Sequence, residues 1–372
     1  METLIVKRAT RASRMGALAG IVVLAVVCSM PWWAEVAHQH LVAEIFYTIA
    51  LAQMWNLLAG YGGVVSVGQQ AYLGIGAYSL VLFGLDAGVN PFVVIVTAGV
   101  VSALIALPMA GVLFRLKGAH LAVGTWVLAE VFRLLVANTD ALGGGSGTSV
   151  MATMRGIAPW WRESLTLWIA VALGAGGCLF VYVLLISRYG LALMAVRDND
   201  AGAGSLGVSV RAVRWLVYVC SAAGCGMTGA LIFVTKLRVS PEAAFSVDWS
   251  ALMLFVVVIG GIGSIEGPII GTLLYFVLRQ SLSDWGVWYQ IVLGAVAIGF
   301  MILRPRGIWG AVSARLGLSV FPTERRLFGL GSDTHSAHNT FDMHDMHDMR
   351  DVKDAGAPLR YDALDAAKAR DC

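Results

Sequence analysis

The sequence predicts an all-α polytopic membrane protein, and three observations carry that prediction. Of 372 residues, 58% are hydrophobic and 13% are charged, against about 25% charged in an ordinary soluble domain. Mean hydropathy is +0.76. Charge-free apolar runs recur along the chain, and a helix needs about 20 such residues to cross the hydrocarbon core. Together these exclude a cytosolic enzyme, a disordered chain and a nucleic-acid binder. The 43 glycines suit helices that pack closely in lipid. The net charge is only +3, so the placement of charge informs more than its total.

The elements follow in chain order. Residues 1–15 form a cytoplasmic segment with Lys7, Arg8, Arg11 and Arg14. The stretch from Met15 to Ala34 is uncharged and closes on no small-residue cleavage site. It reads as a retained first helix, 16–33, rather than a signal peptide. The charge-free run 45–85 is too long for one helix, and Gly60, Gly62, Gly63 and Gly68 divide it. Ten candidate spans result: 16–33, 42–60, 64–84, 92–114, 119–137, 165–187, 213–235, 249–264, 268–283 and 287–303. The segments 64–84 and 268–283 either span or re-enter. Glu44 and Arg279 fall near predicted helix ends, where long side chains snorkel to the interface. Cys28, Cys178, Cys220 and Cys225 lie in apolar runs and Cys372 ends the chain, so they read as packing residues and not as a disulfide framework.

Charge placement orients the spans. With the N-terminus cytoplasmic, the inside loops hold Arg115 and Lys117, then Arg188, Arg197, Arg211 and Arg214, then Arg304, Arg306 and Arg315. The outside loops hold Arg155, Arg162, Lys236 and Arg238. An even count keeps the last arginines inside and makes both termini cytoplasmic. The membrane domain is thus 16–303, with a polar loop at 188–212, and 304–372 is a cytoplasmic tail. That tail carries basic and acidic residues in equal number and repeats Asp-Met-His from Asp342. Leu316, Leu318, Phe321, Leu327 and Phe328 suit its first part to a membrane surface, and the rest reads as largely disordered. His335, His338, His344 and His347 are read as part of a solvated low-complexity tail, with no metal site assigned.

The sequence has no Walker A loop, HExxH, CxxC or nucleophile elbow, so it has no visible means of hydrolysing ATP and does not read as an enzyme. Four features remain. The first runs from Gly60 to Tyr78 and contains Ser66, Gly68, Gln69, Gly74, Gly76 and Tyr78. Its glycines either unwind a helix beside a water-filled path or serve plain helix packing. The second, Gly260-Gly261-Ile262-Gly263-Ser264 leading to Pro268 and Gly271, again interrupts an apolar stretch. Paired interruptions in two halves of a transporter point to the path, while a tight turn before Pro268 is the plainer alternative. The third is the inside loop from Ser187 to Val208. There Arg197, Asp198, Asn199 and Asp200 precede a short Ala/Gly stretch with Ala203, then Leu206 and Gly207. Asp and Asn are helix N-caps, so the loop holds one or two short helices, either a docking knob or an amphipathic linker. The fourth is Glu130 with Arg133 in the fifth span. Three apart, they share a face and can pair. An intramembrane ionisable group is a functional candidate by default, and a structural ion pair is an equal alternative.

The first three features together resemble the M-type (LivM-like) permease subunit of branched-chain amino acid ABC importers. Segment 60–78 is similar to the family's Gly-Tyr-Gly-Gly, Ser-x-Gly-Gln and Gly-x-Gly-Ala-Tyr signature, and 188–208 is similar to its cytoplasmic coupling loop. Val239-Ser240-Pro241-Glu242 with 252–271 is similar to its late Ser-Pro-Glu and Gly-Gly-x-Gly-Ser region. The likeness runs in order over roughly 40–305. It implies an inner-membrane permease that pairs with a second, H-type permease subunit. Two cytoplasmic ATPases would dock on the coupling loops, and a periplasmic binding protein would deliver the solute. This chain would then carry no cofactor of its own, ATP and Mg being bound by partners. The ATPase contact would fall on Arg197, Asp198, Asn199, Asp200, Ala203, Leu206 and Gly207. The path would lie near Ser66, Gly68, Gln69, Gly74, Gly76, Tyr78, Gly260, Gly261, Gly263 and Ser264. The chain departs from the family pattern at Gly204, where a Glu is usual, at Gln70, where a small residue is commoner, and in its long His/Met-rich tail. Importers of urea or short-chain amides use very similar permeases. An ion-coupled secondary transporter using Glu130 is the alternative from another class.

Overall fold

Glycine contacts set the centre of this bundle. The structure is a computed structural model that describes residues 5–7, 11–282, 288–303, 307–316, 321 and 326–328. The chain divides into two units. In the smaller, made of Met1–Val6 and Leu327–Cys372, the described residues are extended. The larger, Lys7–Arg326, is the helical body described below. The four tail histidines and Leu318 lie outside the described residues.

Fourteen α-helices are described: α1 Arg11–Ser29, α2 Val36–Asn56, α3 Gln70–Ser79, α4 Pro91–Leu113, α5 Ala119–Ala137, α6 Pro159–Ile186, α7 Arg188–Asp198, α8 Asp200–Ser205, α9 Val210–Lys236, α10 Pro241–Ala244, α11 Val247–Gly260, α12 Glu266–Leu282, α13 Trp288–Leu303 and α14 Gly307–Leu316. Among the described residues seven helices are long and apolar enough to cross a membrane. The remaining three expected spans form helices too, but α12 and α13 have only 17 and 16 residues, and α3 reaches Asp86 through a π-helical extension, Leu80–Asp86.

Local chemistry explains the boundaries. The Asn90 side chain accepts from the Phe92 N–H at 3.0 Å, and Pro91 opens α4. Ser187, Ser240 and Ser246 cap α7, α10 and α11 in the same manner, satisfying N–H groups that have no intrahelical partner. α2 begins earlier than the expected residue 42. Its polar first turns find partners: Gln39 Nε2 donates to the Ala34 carbonyl at 2.9 Å, and His40 meets Glu163 at 2.8 Å. The third span begins later than expected, at Gln70 instead of 64, because residues 62–69 are not helical. The eighth stops at Gly260 instead of 264, since Gly261 and Gly263 take φ of +128° and +76°.

α9 runs through the middle, against α2, α3, α4 and α6. It crosses α3 where Gly229 faces the Leu73 carbonyl and Gly76 faces the Gly226 carbonyl, and a Cβ at either position would collide with backbone. Packed on these four helices, α9 is 78% buried over its most apolar stretch, against 11% for α1 and 17% for α5.

Polar contacts gather at two ends of the body. At one end Trp32, Trp160 and Trp168 cluster, and Thr148–Ser149 pair antiparallel with Arg238–Val239. There Glu44 and Arg279 pair with each other at 2.7 Å instead of reaching separately to the interface. The opposite end holds the tips of α2 and α11 and the loop with α7 and α8. The start of the tail packs on the body, with α14 against α11 and α12. The Phe321 N–H donates to Glu266 Oε1 at 2.8 Å, and its ring meets Tyr182.

Candidate functional site

The chain turns back on itself after α2. A π-helical turn, Leu57–Tyr61, ends the helix, and residues 62–69 return alongside it. Trp55 Nε1 donates to the Ser66 carbonyl at 2.8 Å, so Ser66 lies beside α2 and not beyond its end. On its other side Val67 N–H donates to Thr125 Oγ1 at 3.1 Å, and Gly68 lies against the Thr125 carbonyl. α3 therefore starts partway along α2 and α5 and not at their ends. Such irregular backbone is tolerated at depth only inside protein or beside water.

The residues around the start of α3 are buried and polar. Gln69 is fully buried, and neither atom of its amide has a hydrogen-bond partner among the described residues. Gln70 accepts from Ser250 Oγ, while its Nε2 has no partner among the described residues. Gly74 faces the Phe245 ring, and Tyr78 stacks on that ring with centroids 6.0 Å apart. Gly76 belongs to the crossing with α9. Ser66, Gly68 and Gln69 thus gather at one point, while Gly74, Gly76 and Tyr78 are spent along the sides of α3.

The second glycine cluster meets the first. Asn56 Nδ2 donates to the Ser264 carbonyl at 2.9 Å, and Asn56 Oδ1 accepts from the Gly263 N–H at 2.9 Å. One level deeper, Gln53 Nε2 donates to the Ile265 carbonyl at 2.6 Å. Ser264 Oγ donates to the Gly261 carbonyl and accepts from the Gly267 N–H, which caps α12. Gly60 packs on the Gly263 backbone so closely that a Cβ would stand 2.7 Å from the Gly263 nitrogen. Two clusters about 200 residues apart in sequence thus form one junction.

The third feature reaches the same junction. Arg197, at the end of α7, donates from Nη1 to the Gly60 carbonyl at 2.9 Å. A Cβ on Gly263 would lie 3.2 Å from that nitrogen, and one on Gly63 would lie 3.3 Å from Arg197 Cγ. Beyond Arg197 the loop turns outward. Asn199 caps α8 by accepting from the Gly202 N–H at 3.0 Å. Asp200 is held by Arg214 of α9 at 2.7 Å. Ala203 is buried, whereas Asp198 and Gly207 are exposed and Leu206 is 83% exposed. Gly204 has open space around it.

Glu130 and Arg133 stand apart from this assembly. Arg133 Nε donates to Glu130 Oε2 at 2.9 Å, and both side chains are partly exposed. Among the described residues no group of three or more His, Cys, Asp or Glu is placed to hold a metal. Sequence reasoning passed over Gln53, Asn56, Thr125 and Ser250. The available signal was polar side chains inside apolar runs, which in membrane helices bond across to neighbours.

Residues 39–301 match the family model described as branched-chain amino acid transport system / permease component. The chain belongs to this family. It is 28% identical over 278 residues to the high-affinity branched-chain amino acid transport system permease protein LivM of Escherichia coli, a match covering 68% of this chain and 65% of that one. LivM of Methanocaldococcus jannaschii is 24% identical over 196 residues, 52% of this chain and 56% of the relative. The fructose import permease protein FruG of Bifidobacterium longum is 26% identical over 279 residues, 69% and 79%. The chain thus spans just under two thirds of the length of the E. coli relative. No solved structure matches. Family membership and the seven long apolar helices make this a multi-pass membrane protein of a permease family, and the junction of Arg197 with the two glycine clusters lies inside the matched region up to residue 301.

Proposed function

We propose that this chain is a membrane-spanning subunit of an ABC importer that moves branched-chain amino acids across the bacterial inner membrane. In this reading it pairs with a second, H-type permease and with two cytoplasmic ATPases that bind ATP and Mg, and a periplasmic binding protein feeds it. It crosses the membrane ten times with both termini cytoplasmic, the passes being the seven long helices together with 62–86, α12 and α13. The ATPase docks on the loop 188–212, at Asp198, Asn199, Asp200, Leu206 and Gly207, with Ala203 packing the helix onto the body and Arg197 at its root. The path runs beside Ser66, Gly68 and Gln69 and past the turn of Gly260, Gly261, Gly263 and Ser264. Permeases of this kind act by having two conformations that partners bind differently.

One observation carries the reading: the exposed loop is rooted, through Arg197, on both breaks in the membrane helices. A motor pushing α8 would therefore act on the two irregular segments together. Relatives named for fructose and nucleoside transport support a second reading in which the solute is a sugar or nucleoside, and urea or amide carriage remains the alternative within the class. The ion-coupled alternative finds less support, since Glu130 is engaged by Arg133.

The test is co-purification followed by transport in vesicles. An ATPase pair and a second permease are expected with the chain. Uptake should need ATP, survive a protonophore, and be competed by leucine or valine over fructose, adenosine or urea. Uptake that persists without ATP and collapses with the protonophore would reverse the assignment.

A further inference from the structure

We infer that Arg197 is a positioning residue outside the ATPase contact: its side chain is 43% exposed and its Nε reaches Asp198 at 3.4 Å, but its Nη1 turns to the Gly60 carbonyl and joins the exposed loop to both glycine breaks. This inference rests on the importer reading but concerns a link within the chain itself. The last carbonyls of a helix have no intrahelical donors, and they form the negative end of the helix dipole. Basic side chains near a helix C-terminus satisfy them. At the end of α2 that cation is supplied from 137 residues away, by Arg197 Nη1 on the Gly60 carbonyl. A π-helical turn exposes the carbonyl there, because Gly62 N–H bonds back to Leu57 and Val64 N–H to Leu58.

The fit is made by missing side chains. Gly60, Gly63 and Gly263 surround the arginine, and any Cβ on them would press on it or on each other. Gly63 and Gly263 also take positive φ, +63° and +76°, which only glycine adopts without strain. Arg197 is the last residue but one of α7, and Asn199, two residues on, caps α8. Displacing α8 must therefore either carry the end of α2 and the α11–α12 turn with it or break the Arg197–Gly60 bond. Asn56 locks those two segments to each other, so the guanidinium moves them as a pair. A guanidinium presents its donors in a rigid fork, while lysine offers a single mobile ammonium.

The test compares Arg197→Ala and Arg197→Lys with the unaltered chain in the complete transporter reconstituted in vesicles. Its readout is ATP hydrolysed per solute imported. The alanine variant should raise this ratio about tenfold, within the usual range of coupling between two sites. The lysine variant should stay within about threefold, since it keeps the charge and can still donate to the carbonyl. ATPase subunits should co-purify undiminished with both. An unchanged ratio in the alanine variant, or loss of the ATPase from it with the ratio preserved, would overturn the inference. The second readout needs no partner: amide hydrogen exchange on the full-length purified chain. In Arg197→Ala the Gly62 and Val64 amides should exchange about tenfold faster, because local opening tracks the stability of the contacts around it. Unchanged exchange would refute the link while leaving the importer reading intact. If instead no ATPase joins the unaltered chain, the importer reading fails and the exchange measurement still decides the link.

Discussion

The two glycine clusters look alike in sequence and do different things. The first, 60–78, spreads its glycines over three tasks: a junction at Gly60 and Gly63, a close approach of non-helical backbone to α5 at Gly68, and a helix crossing at Gly76. The second, 260–271, is a tight turn between two helices, stopped by positive φ at Gly261 and Gly263 and packed at Gly260 and Gly271. The difference teaches that a glycine's neighbours across the bundle, more than those along the chain, decide its use. The first cluster lengthens the backbone at depth and leaves the buried Gln69 amide without a partner among the described residues. The second leaves its backbone groups matched by Asn56, Gln53 and Ser264.

Five substitutions, two of them serving as comparisons, break or sharpen that contrast. The largest effect is expected at the crossing that fixes α3. Gly229→Leu forces a side chain into the Leu73 backbone; overpacking a close-packed site costs about 1–3 kcal/mol or more, and here the obstacle is main chain. The yield of monodisperse protein should collapse, whereas Gly20→Leu, with open space around Gly20, should leave it intact. Equal behaviour of the two would remove the crossing from the account. Next comes Asn56→Leu, which strips partners from the Gly263 N–H and the Ser264 carbonyl. At about 1–3 kcal/mol for each buried group left unsatisfied, thermal unfolding in detergent should shift down clearly. Ser66→Ala, which removes one long bond to Gly68 N–H at 3.3 Å, should shift it less, and the reverse order would mean the first cluster holds the junction. The smallest effect is Glu44→Gln at the opposite end, where the half-exposed pair with Arg279 is worth about 1 kcal/mol or less. Its unfolding temperature should hardly move, and a large drop would show that this end, too, is locked.

Much of the body was legible in the sequence. Apolar runs of spanning length mark α1, α4, α5, α6 and α9, because burial in lipid demands continuous apolar helix. Asp and Asn before a short Ala/Gly stretch mark the loop helices through their capping chemistry. The breaks at 60–63 and 261–263 were legible as glycine clusters. Asn56 and Gln53 were not, since a single polar residue in a long apolar run barely changes the run. The meeting of Arg197 with Gly60 was illegible for another reason: a charge in a polar loop looks solvated until its partner is known.

What the sequence determined by itself is therefore the class of molecule and the positions where its helices stop. Both follow from local physics, namely apolar length, capping side chains and the backbone freedom of glycine. Only the tertiary structure decided that three separate stops share one place. A backbone carbonyl, a glycine without a Cβ and an arginine combine only when the bundle brings them within hydrogen-bond reach, and no local property of any of the three predicts that meeting.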